Sequence, residues 1–270
     1  MAPTPIITPA FDDPLSPEAL YWLGWLTTDG CVSPPVISLK LAPKDRHIVE
    51  AFHHFVGCGS VAEYPSRISN GRNGETITSS GSVEWQVGRK YLVDRLGHLG
   101  IVPKKTTILE VPAQLATSPE FWCGAIEGDG CIAVSTTKKS YGSYGYLNVN
   151  LVSSSHIFLN QFSRFTESLG FTFSTSEKTY SKLRTTPSFV AQLIGEQAVL
   201  FAKRLLSVTK FQPLLRRKWD AVPGDEWESR ASRNDRIVAL RKSGLKIDEV
   251  AAKVNLSRTQ VKAVLREAQV

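Results

Sequence analysis

WLGWLTTDG, residues 22–30, is followed 100 positions further along the chain by WCGAIEGDG, residues 122–130. Both copies have Trp, Gly, Asp and Gly at matching places, and a Cys follows each copy. A single apolar stretch that ends in Asp-Gly is common, because Asp-Gly is a frequent turn dipeptide. Two copies at this offset indicate an internal duplication in which each half supplies one carboxylate, Asp29 and Asp129.

The motif places a glycine, Gly24 or Gly124, about one helical turn before each aspartate, at about 3.6 residues per turn. Glycine lets two helix backbones approach closely, so two packed motif helices would bring both carboxylates together at their C-terminal ends. Adjacent carboxylates repel each other and the helix dipoles add negative charge, which calls for divalent cations. Mg²⁺ prefers such oxygen ligands and could activate water for phosphodiester hydrolysis. The alternative is that each aspartate only caps a turn.

Composition favours a globular protein with a nucleic-acid partner. The chain has 270 residues, 42% of them hydrophobic, and no apolar run approaches the roughly 18 residues of a membrane span. Four cysteines without a CxxC pair predict neither a zinc knuckle nor a disulfide framework, so reduced thiols and a cytoplasmic or organellar location are expected. The net charge is +7, and residues 232–270 contain nine Lys/Arg against four Asp/Glu. This basic balance favours nucleic acid over a membrane surface as partner.

Each half of the chain is predicted to run helix, two strands, helix, two strands, helix. The predicted fold class is therefore α+β, with two pseudo-symmetric αββαββα repeats and a small all-α tail. The predicted segments, in chain order, are an extended Pro-rich arm (1–16), the first repeat (17–112), a linker (113–117), the second repeat (118–222), a second linker (223–233) and the tail (234–270).

The tail is predicted to form three short helices, with a tight turn at residues 255–257 between the second and the third. This arrangement resembles a helix-turn-helix DNA reader. The alternative is a small helical bundle that packs on the main domain. Polar side chains on the outward face of the third helix suit phosphate and base-edge contacts: Arg258, Thr259, Gln260, Lys262 and Arg266.

The paired motif and the order of elements resemble those of the LAGLIDADG homing endonucleases in their single-chain, two-repeat form, over residues 17–219. The resemblance implies a β-saddle that binds double-stranded DNA and a monomer without a protein partner. It also implies Mg²⁺- or Mn²⁺-dependent cleavage across the minor groove that leaves short 3′ overhangs.

The resemblance also implies a role for individual motif positions. The eighth-position acid that ligates the metal corresponds to Asp29 and Asp129, and the seventh-position carbonyl to Thr28 and Gly128. The sixth position, often acidic in the family, is Thr27 in one copy and Glu127 in the other, and this difference predicts unequal half-sites.

The family places a lysine near each carboxylate to polarise the water network. Lys218 ends an apolar-then-basic segment that matches the family pattern in the second half, and Lys105 stands at the equivalent place in the first half. Ordinary phosphate contact is the alternative role for both.

The polar face of the predicted saddle, its hairpin tips and the basic segment before Lys218 are expected to contact DNA. The candidate residues outside the tail are Lys40, Arg72, Gln86, Arg89, Lys138, Lys139, Asn148, Asn150, Arg216 and Arg217.

Two other functions stay open at this stage. One is a non-catalytic DNA-binding transcriptional regulator that combines a LAGLIDADG-like domain with a helix-turn-helix. Retention of Asp29 and Asp129 argues against it, since a pure binder gains nothing from negative charge beside DNA. The other is an RNA maturase that assists intron splicing, which preferential binding to structured intron RNA would reveal.

Overall fold

The computed structural model describes residues 9–70, 76–103, 107–139, 142–178, 187–224 and 227–269. Two predicted site residues, Arg72 and Lys105, lie outside this set. The chain divides into two compact units, Met1–Val222 and Pro223–Val270. None of the helices in the described part combines the length and the apolar character needed to cross a membrane.

The first repeat begins with a helix whose start is encoded locally. Ser16 caps it by accepting a hydrogen bond from the Ala19 amide at 3.0 Å, and Pro17 occupies its first turn. The elements are α1 (Pro17–Thr28), β1 (Gly30–Ser33), β2 (Val36–Leu41), a 3₁₀ turn (Pro43–Asp45), α2 (Arg46–Val56), β3 (Ser60–Tyr64), β4 (Arg67–Asn70), β5 (Thr76–Ser79), β6 (Ser82–Gly88) and α3 (Lys90–His98).

The second repeat has the same plan. Ser118 caps its motif helix by accepting from the Phe121 amide at 3.2 Å. The elements are α4 (Ala113–Ala116), α5 (Pro119–Gly128), β7 (Gly130–Lys139), β8 (Gly142–Ser153), α6 (His156–Ser168), β9 (Ser174–Lys178), β10 (Ser188–Ile194), α7 (Glu196–Val208) and α8 (Arg216–Trp219).

The two four-stranded antiparallel sheets have equivalent strand orders, β1-β2-β6-β3 and β7-β8-β10-β9. Because side chains alternate between the faces of a sheet, the pairing register assigns each residue to a face. Leu39 lies opposite Trp85 and both are buried, whereas the next pair along, Ser38 and Gln86, lies on the polar face. The predicted two-repeat α+β fold is confirmed.

Aromatic side chains fill the same positions in the core of each repeat. Trp22 packs against Phe52 with ring centroids 5.0 Å apart, and Phe52 packs edge-on against Trp85 at 4.7 Å. In the second repeat Trp122 contacts Phe162 at 5.1 Å. Each ring removes a large apolar area from water, so these clusters hold the helices on the sheets.

Strands β4 and β5 form a two-stranded hairpin between β3 and β6. Two local features differ from the predictions. The predicted linker contains the one-turn helix α4. The described end of the predicted extended arm packs on the fold: Phe11 is buried against Phe55, and Arg95 binds the Phe11 carbonyl and the Asp13 carboxylate.

The second unit contains α9 (Arg230–Lys242), α10 (Ile247–Val254) and α11 (Arg258–Glu267) around a core of its own. Helix α9 begins before residue 234, the predicted start of the tail, because Ser229 provides its N-terminal cap. Asn255 adopts the left-handed conformation, with φ 52° and ψ 48°, and so ends α10 sharply. The side chains of Ser257 and Gln260 form a capping box that starts α11 two residues later.

Candidate functional site

Helices α1 and α5 cross in direct backbone contact at the two motif glycines. A Cβ atom on Gly24 would lie 2.1 Å from the carbonyl oxygen of Phe121, and one on Gly124 would lie 2.1 Å from that of Tyr21. No side chain can occupy either position, because the obstructing atoms belong to the opposing backbone. The close approach predicted from the duplicated glycines is thus the central contact between the repeats.

This crossing places the two aspartates at neighbouring helix ends. Asp29 and Asp129 are the C-terminal caps of α1 and α5. A Cβ on Gly128 would lie 2.9 Å from the Asp29 carboxylate and 2.0 Å from the Thr28 hydroxyl, so the end of α5 faces the end of α1. Asp129 is exposed and, together with Thr28, lines a cleft of about 510 Å³.

The donors gathered here suit a hard divalent cation. Within the described ranges, no group of three or more His, Cys, Asp or Glu side chains could hold a metal ion. The oxygen donors that the helix ends bring together are the carboxylates of Asp29 and Asp129 and the carbonyls of Thr28 and Gly128, and water would complete the coordination of a metal ion held there. Mg²⁺ accepts such a set, because it binds few protein carboxylates and keeps several waters.

Lys218, one of the predicted catalytic lysines, is buried beneath the end of α5. Its Nζ lies 3.0 Å from the Ile126 carbonyl oxygen, 3.2 Å from that of Gly128 and 2.7 Å from that of Gly130, and it also contacts that of Glu127. Burial, aided by the charge of neighbouring Arg217, lowers the pKa of Lys218 to about 8. In this arrangement Lys218 satisfies the carbonyls that a helix leaves unpaired at its C-terminus.

The sixth-position acid of the second motif is also buried, in a polar network. One carboxylate oxygen of Glu127 accepts hydrogen bonds from the Leu215 amide at 2.9 Å and Trp219 Nε1 at 2.6 Å. The other accepts from Trp25 Nε1 at 3.2 Å and from the Tyr21 hydroxyl. Burial raises the pKa of Glu127 despite these donors. The sequence identified the acid at this position, but its partners lie too far apart in the chain to be predicted.

A two-point ion pair connects the segment around Lys218 to the first repeat. Arg217 donates from Nε and Nη2 to the two carboxylate oxygens of Asp45, at 2.9 and 2.7 Å. Burial alone would raise the pKa of Asp45, but the hydrogen bonds and the charge of Arg217 lower it. Asp45 has no counterpart in the motif, so no sequence pattern marked it.

The comparisons with known proteins agree with this geometry. Residues 117–207 match the protein family described as the LAGLIDADG-like domain. The chain carries a LAGLIDADG-like domain. No curated protein matches the chain in sequence.

Among solved structures, the chain is similar to the meganuclease I-SmaMI bound to uncleaveable DNA with a TTCT central four. The TM-score is 0.50 and the sequence identity is 9%, and the match covers 91% of this chain and 96% of that chain.

A second solved structure, described as the LAGLIDADG homing endonuclease I-GzeII in complex with its DNA target, gives a TM-score of 0.50 and 10% identity, over 93% of this chain and 96% of that chain. At these identities the likeness concerns the fold. The predicted resemblance to the LAGLIDADG family is confirmed, by the family match for the second repeat and by the fold for both repeats.

Within this LAGLIDADG fold, several predicted DNA contacts lie on the polar faces of the sheets. Lys40 is half exposed, 3.8 Å from Glu84, with its ammonium group 5.0 Å from the centre of the Tyr64 ring. Gln86 occupies the same face, opposite Ser38 of β2. In the second sheet, Asn150 lies opposite Cys131 and Gln192, and Asn148 accepts a hydrogen bond from Gln192 at 2.9 Å.

The other predicted DNA contacts of the first unit differ in their surroundings. Arg89 and Arg216 are exposed at helix starts, whereas Arg217 is held by Asp45 as described above. Lys138 and Lys139 lie in the last part of β7.

In the second unit, Thr259, Lys262 and Arg266 are exposed along α11. Two further predicted contacts already have protein partners. Arg258 pairs with Asp248 at 3.0 Å, and Gln260 accepts from the Ser257 amide at 2.9 Å.

Proposed function

We propose that this protein is a site-specific, metal-dependent endonuclease that cuts double-stranded DNA. The observation that carries the proposal is the contact of Gly24 and Gly124 with the opposing helix backbones, because it brings the ends that carry Asp29 and Asp129 together. Two carboxylates from two repeats suit one cut in each strand of a duplex. The structural neighbours whose descriptions name them as nucleases bound to DNA support this assignment.

The proposed division of labour follows the positions of the groups. Asp29 and Asp129 would hold divalent cations with the carbonyls of Thr28 and Gly128, and the polar sheet faces contact the duplex on both sides. A cation bound there would supply Lewis acidity, which favours ionisation of the attacking water and offsets the charge that develops on the leaving oxygen of the phosphodiester. Lys218 keeps the carbonyl end of α5 in place beneath this site.

The target sequence can be obtained by selection from a randomised duplex library or from the insertion locus of the gene. The bound duplex is then incubated with full-length protein in Mg²⁺, in Mn²⁺ and in excess chelator. We expect cuts in both strands with short 3′ overhangs when metal is present and none in chelator. Uncut DNA in both metals, where specific binding has been demonstrated, would refute the nuclease assignment.

The second unit favours one alternative, a regulator that binds DNA without cutting it. This unit has its own core and an exposed polar face on α11. The alternative predicts tight, metal-independent binding upstream of a promoter and unchanged binding when both aspartates become asparagine. Metal-dependent cleavage that is lost in the same variants would exclude it.

Both proposed ligands come from one chain, so we propose that the protein acts as a monomer. Sedimentation of the protein bound to its duplex tests this: one chain per duplex is expected, and a stoichiometry of two would overturn it.

A further inference from the structure

The metal and DNA contacts proposed above leave one group at the repeat junction without a role, the buried carboxylate of Glu127. Its solvent exposure is 1%, and each of its oxygens accepts two hydrogen bonds. A buried carboxylate is costly unless it is fully hydrogen bonded, so the protein retains this group against a desolvation penalty. Thr27, at the same position in the first motif, donates to the Leu23 carbonyl of its own helix at 2.7 Å.

The donors to Glu127 include a short segment at the C-terminal end of the second repeat. We call residues 214–219 the C-terminal clasp. Its Leu215 amide and its Trp219 ring nitrogen both donate to Glu127. The first repeat holds the clasp as well, since the Leu214 amide donates to the Tyr21 hydroxyl at 3.2 Å and Arg217 pairs with Asp45.

In the clasp, Lys218 lies between Leu215 and Trp219. Both of these residues donate to the same carboxylate oxygen of Glu127, while Lys218 donates to the carbonyls at the end of α5. One of these carbonyls belongs to Gly128, next to Asp129. Fixing the clasp to Glu127 therefore fixes the ammonium group beneath the motif turn.

We infer that Glu127 is a positioning residue, which acts through the C-terminal clasp to hold Lys218 against the carbonyl end of α5. Because the first motif has Thr27 where the second has Glu127, this positioning of a lysine belongs to the second repeat's half of the site. The effect on cleavage rests on the proposed function, whereas the position of Lys218 can be measured without it.

Glu127→Gln is the direct test, because it keeps volume and removes one acceptor oxygen. The amide nitrogen must face Trp25 Nε1 in one orientation or the Leu215 amide and Trp219 Nε1 in the other, and these groups can only donate. At least one hydrogen bond is lost either way. Glu120→Gln is the matched control: Glu120 is buried on the same helix, seven residues earlier, and bonds to Ser118 and the Lys210 amide.

The first readout is the rate at which Lys218 is modified by reductive methylation in the full-length protein, followed by mass spectrometry of its peptide. We expect protection in the wild type and in Glu120→Gln, and a rate at least about tenfold higher in Glu127→Gln, since the buried donors have lost their acceptor. Equal protection in all three proteins, with similar losses of thermal stability in the two variants, would overturn the inference.

Trp219→Phe provides a milder second variant, which removes the Nε1 donor and leaves the Leu215 bond to Glu127. We expect a smaller increase in Lys218 modification than in Glu127→Gln. An unchanged rate in this variant counts against the clasp even where Glu127→Gln fails to fold.

The second readout is cleavage of saturating bound duplex in a single turnover. We expect Glu127→Gln to cut at least about tenfold more slowly, with DNA affinity within about threefold of wild type, because misplacement of reacting groups by about 1 Å can slow a reaction about 100-fold. A normal rate with exposed Lys218 would overturn the role in positioning. Absence of cutting in the wild type itself would refute the nuclease proposal and leave the modification result to decide the position of Lys218.

Discussion

Thr28 and Gly128 hold the same place in the two motif copies, and the hydroxyl of Thr28 occupies the space that a Cβ on Gly128 would need. The separation would be 2.0 Å from that Cβ to Thr28 Oγ1. The duplicated helices are therefore not interchangeable at this point. Because both helix ends converge on the proposed site, a side chain at this position in one repeat leaves room for glycine at the equivalent position in the other.

Gly128→Ala is expected to destabilise the protein by about 1–3 kcal/mol, the usual cost of overpacking a close contact. Thr28→Gly in the same chain removes the obstructing side chain and should restore part of that loss. Urea unfolding followed by tryptophan fluorescence measures both variants. Additive losses in the double variant would show that the two positions do not compete for space.

Gly24→Ala is expected to cost more, at least about 3 kcal/mol, since its Cβ would meet the Phe121 backbone rather than a side chain that can move. Gly97→Ala in α3 is the matched control. Among the described residues, no atom outside the local backbone of its own helix lies within 4 Å of its Cβ position, so the change should be neutral or stabilise by about 0.5–1 kcal/mol through helix propensity. Similar unfolding midpoints for the two variants would contradict the helix contact.

The sequence predicted these glycine contacts because each depends on the motif itself, repeated at a fixed offset. Lys40 and Gln86 were likewise predicted on the polar face of the saddle, where the alternation of side chains along β2 and β6 places them. The partners of Glu127 were not predictable, since Tyr21 and Trp219 lie 106 and 92 residues away in the chain. Lys218 was identified from its basic segment, but a basic pattern does not distinguish a lysine that faces water from one that caps a buried helix end.

The aspartates of the motif should be needed for cutting and not for folding. Asp29→Asn and Asp129→Asn, singly, are expected to reduce double-strand cleavage below detection, because each removes a charged metal ligand. DNA affinity should stay within about threefold, since neutralising a carboxylate does not remove a phosphate contact. Filter binding in chelator and cleavage in Mg²⁺ measure the two properties separately. Equal loss of binding would point to a structural role for the pair.

The pair between Asp45 and Arg217 predicts a dependence of stability on pH. The pKa of Asp45 is lowered in the folded state, so its contribution is present above about pH 4, the unfolded value, and is lost as pH falls through the folded pKa. Asp45→Asn should cost about 1 kcal/mol at pH 7, a figure discounted for the partial exposure of Arg217. The difference from wild type should shrink below pH 4.

Glu63→Gln supplies the control for that measurement. Glu63 pairs with Arg46 at 2.8 Å, but both side chains are about half exposed. Removal of such a surface pair should cost only about 0.3 kcal/mol. Urea unfolding at pH 7 and at pH 3 compares the two variants, and an equal cost at both pH values for Asp45→Asn would show that the ion pair is not the cause.

The second unit predicts a separable electrostatic contribution to DNA binding. Lys262 and Thr259 are both exposed on α11, and of these two residues Lys262 is the charged one. If α11 contacts the duplex, Lys262→Ala should weaken binding and reduce the slope of log affinity against log salt by about 0.9, the value for one lost phosphate contact. Thr259→Ala should leave that slope unchanged and alter preference among sequences. Binding titrations of full-length protein across salt concentrations test both variants, and an unchanged slope for Lys262→Ala would exclude a phosphate contact there.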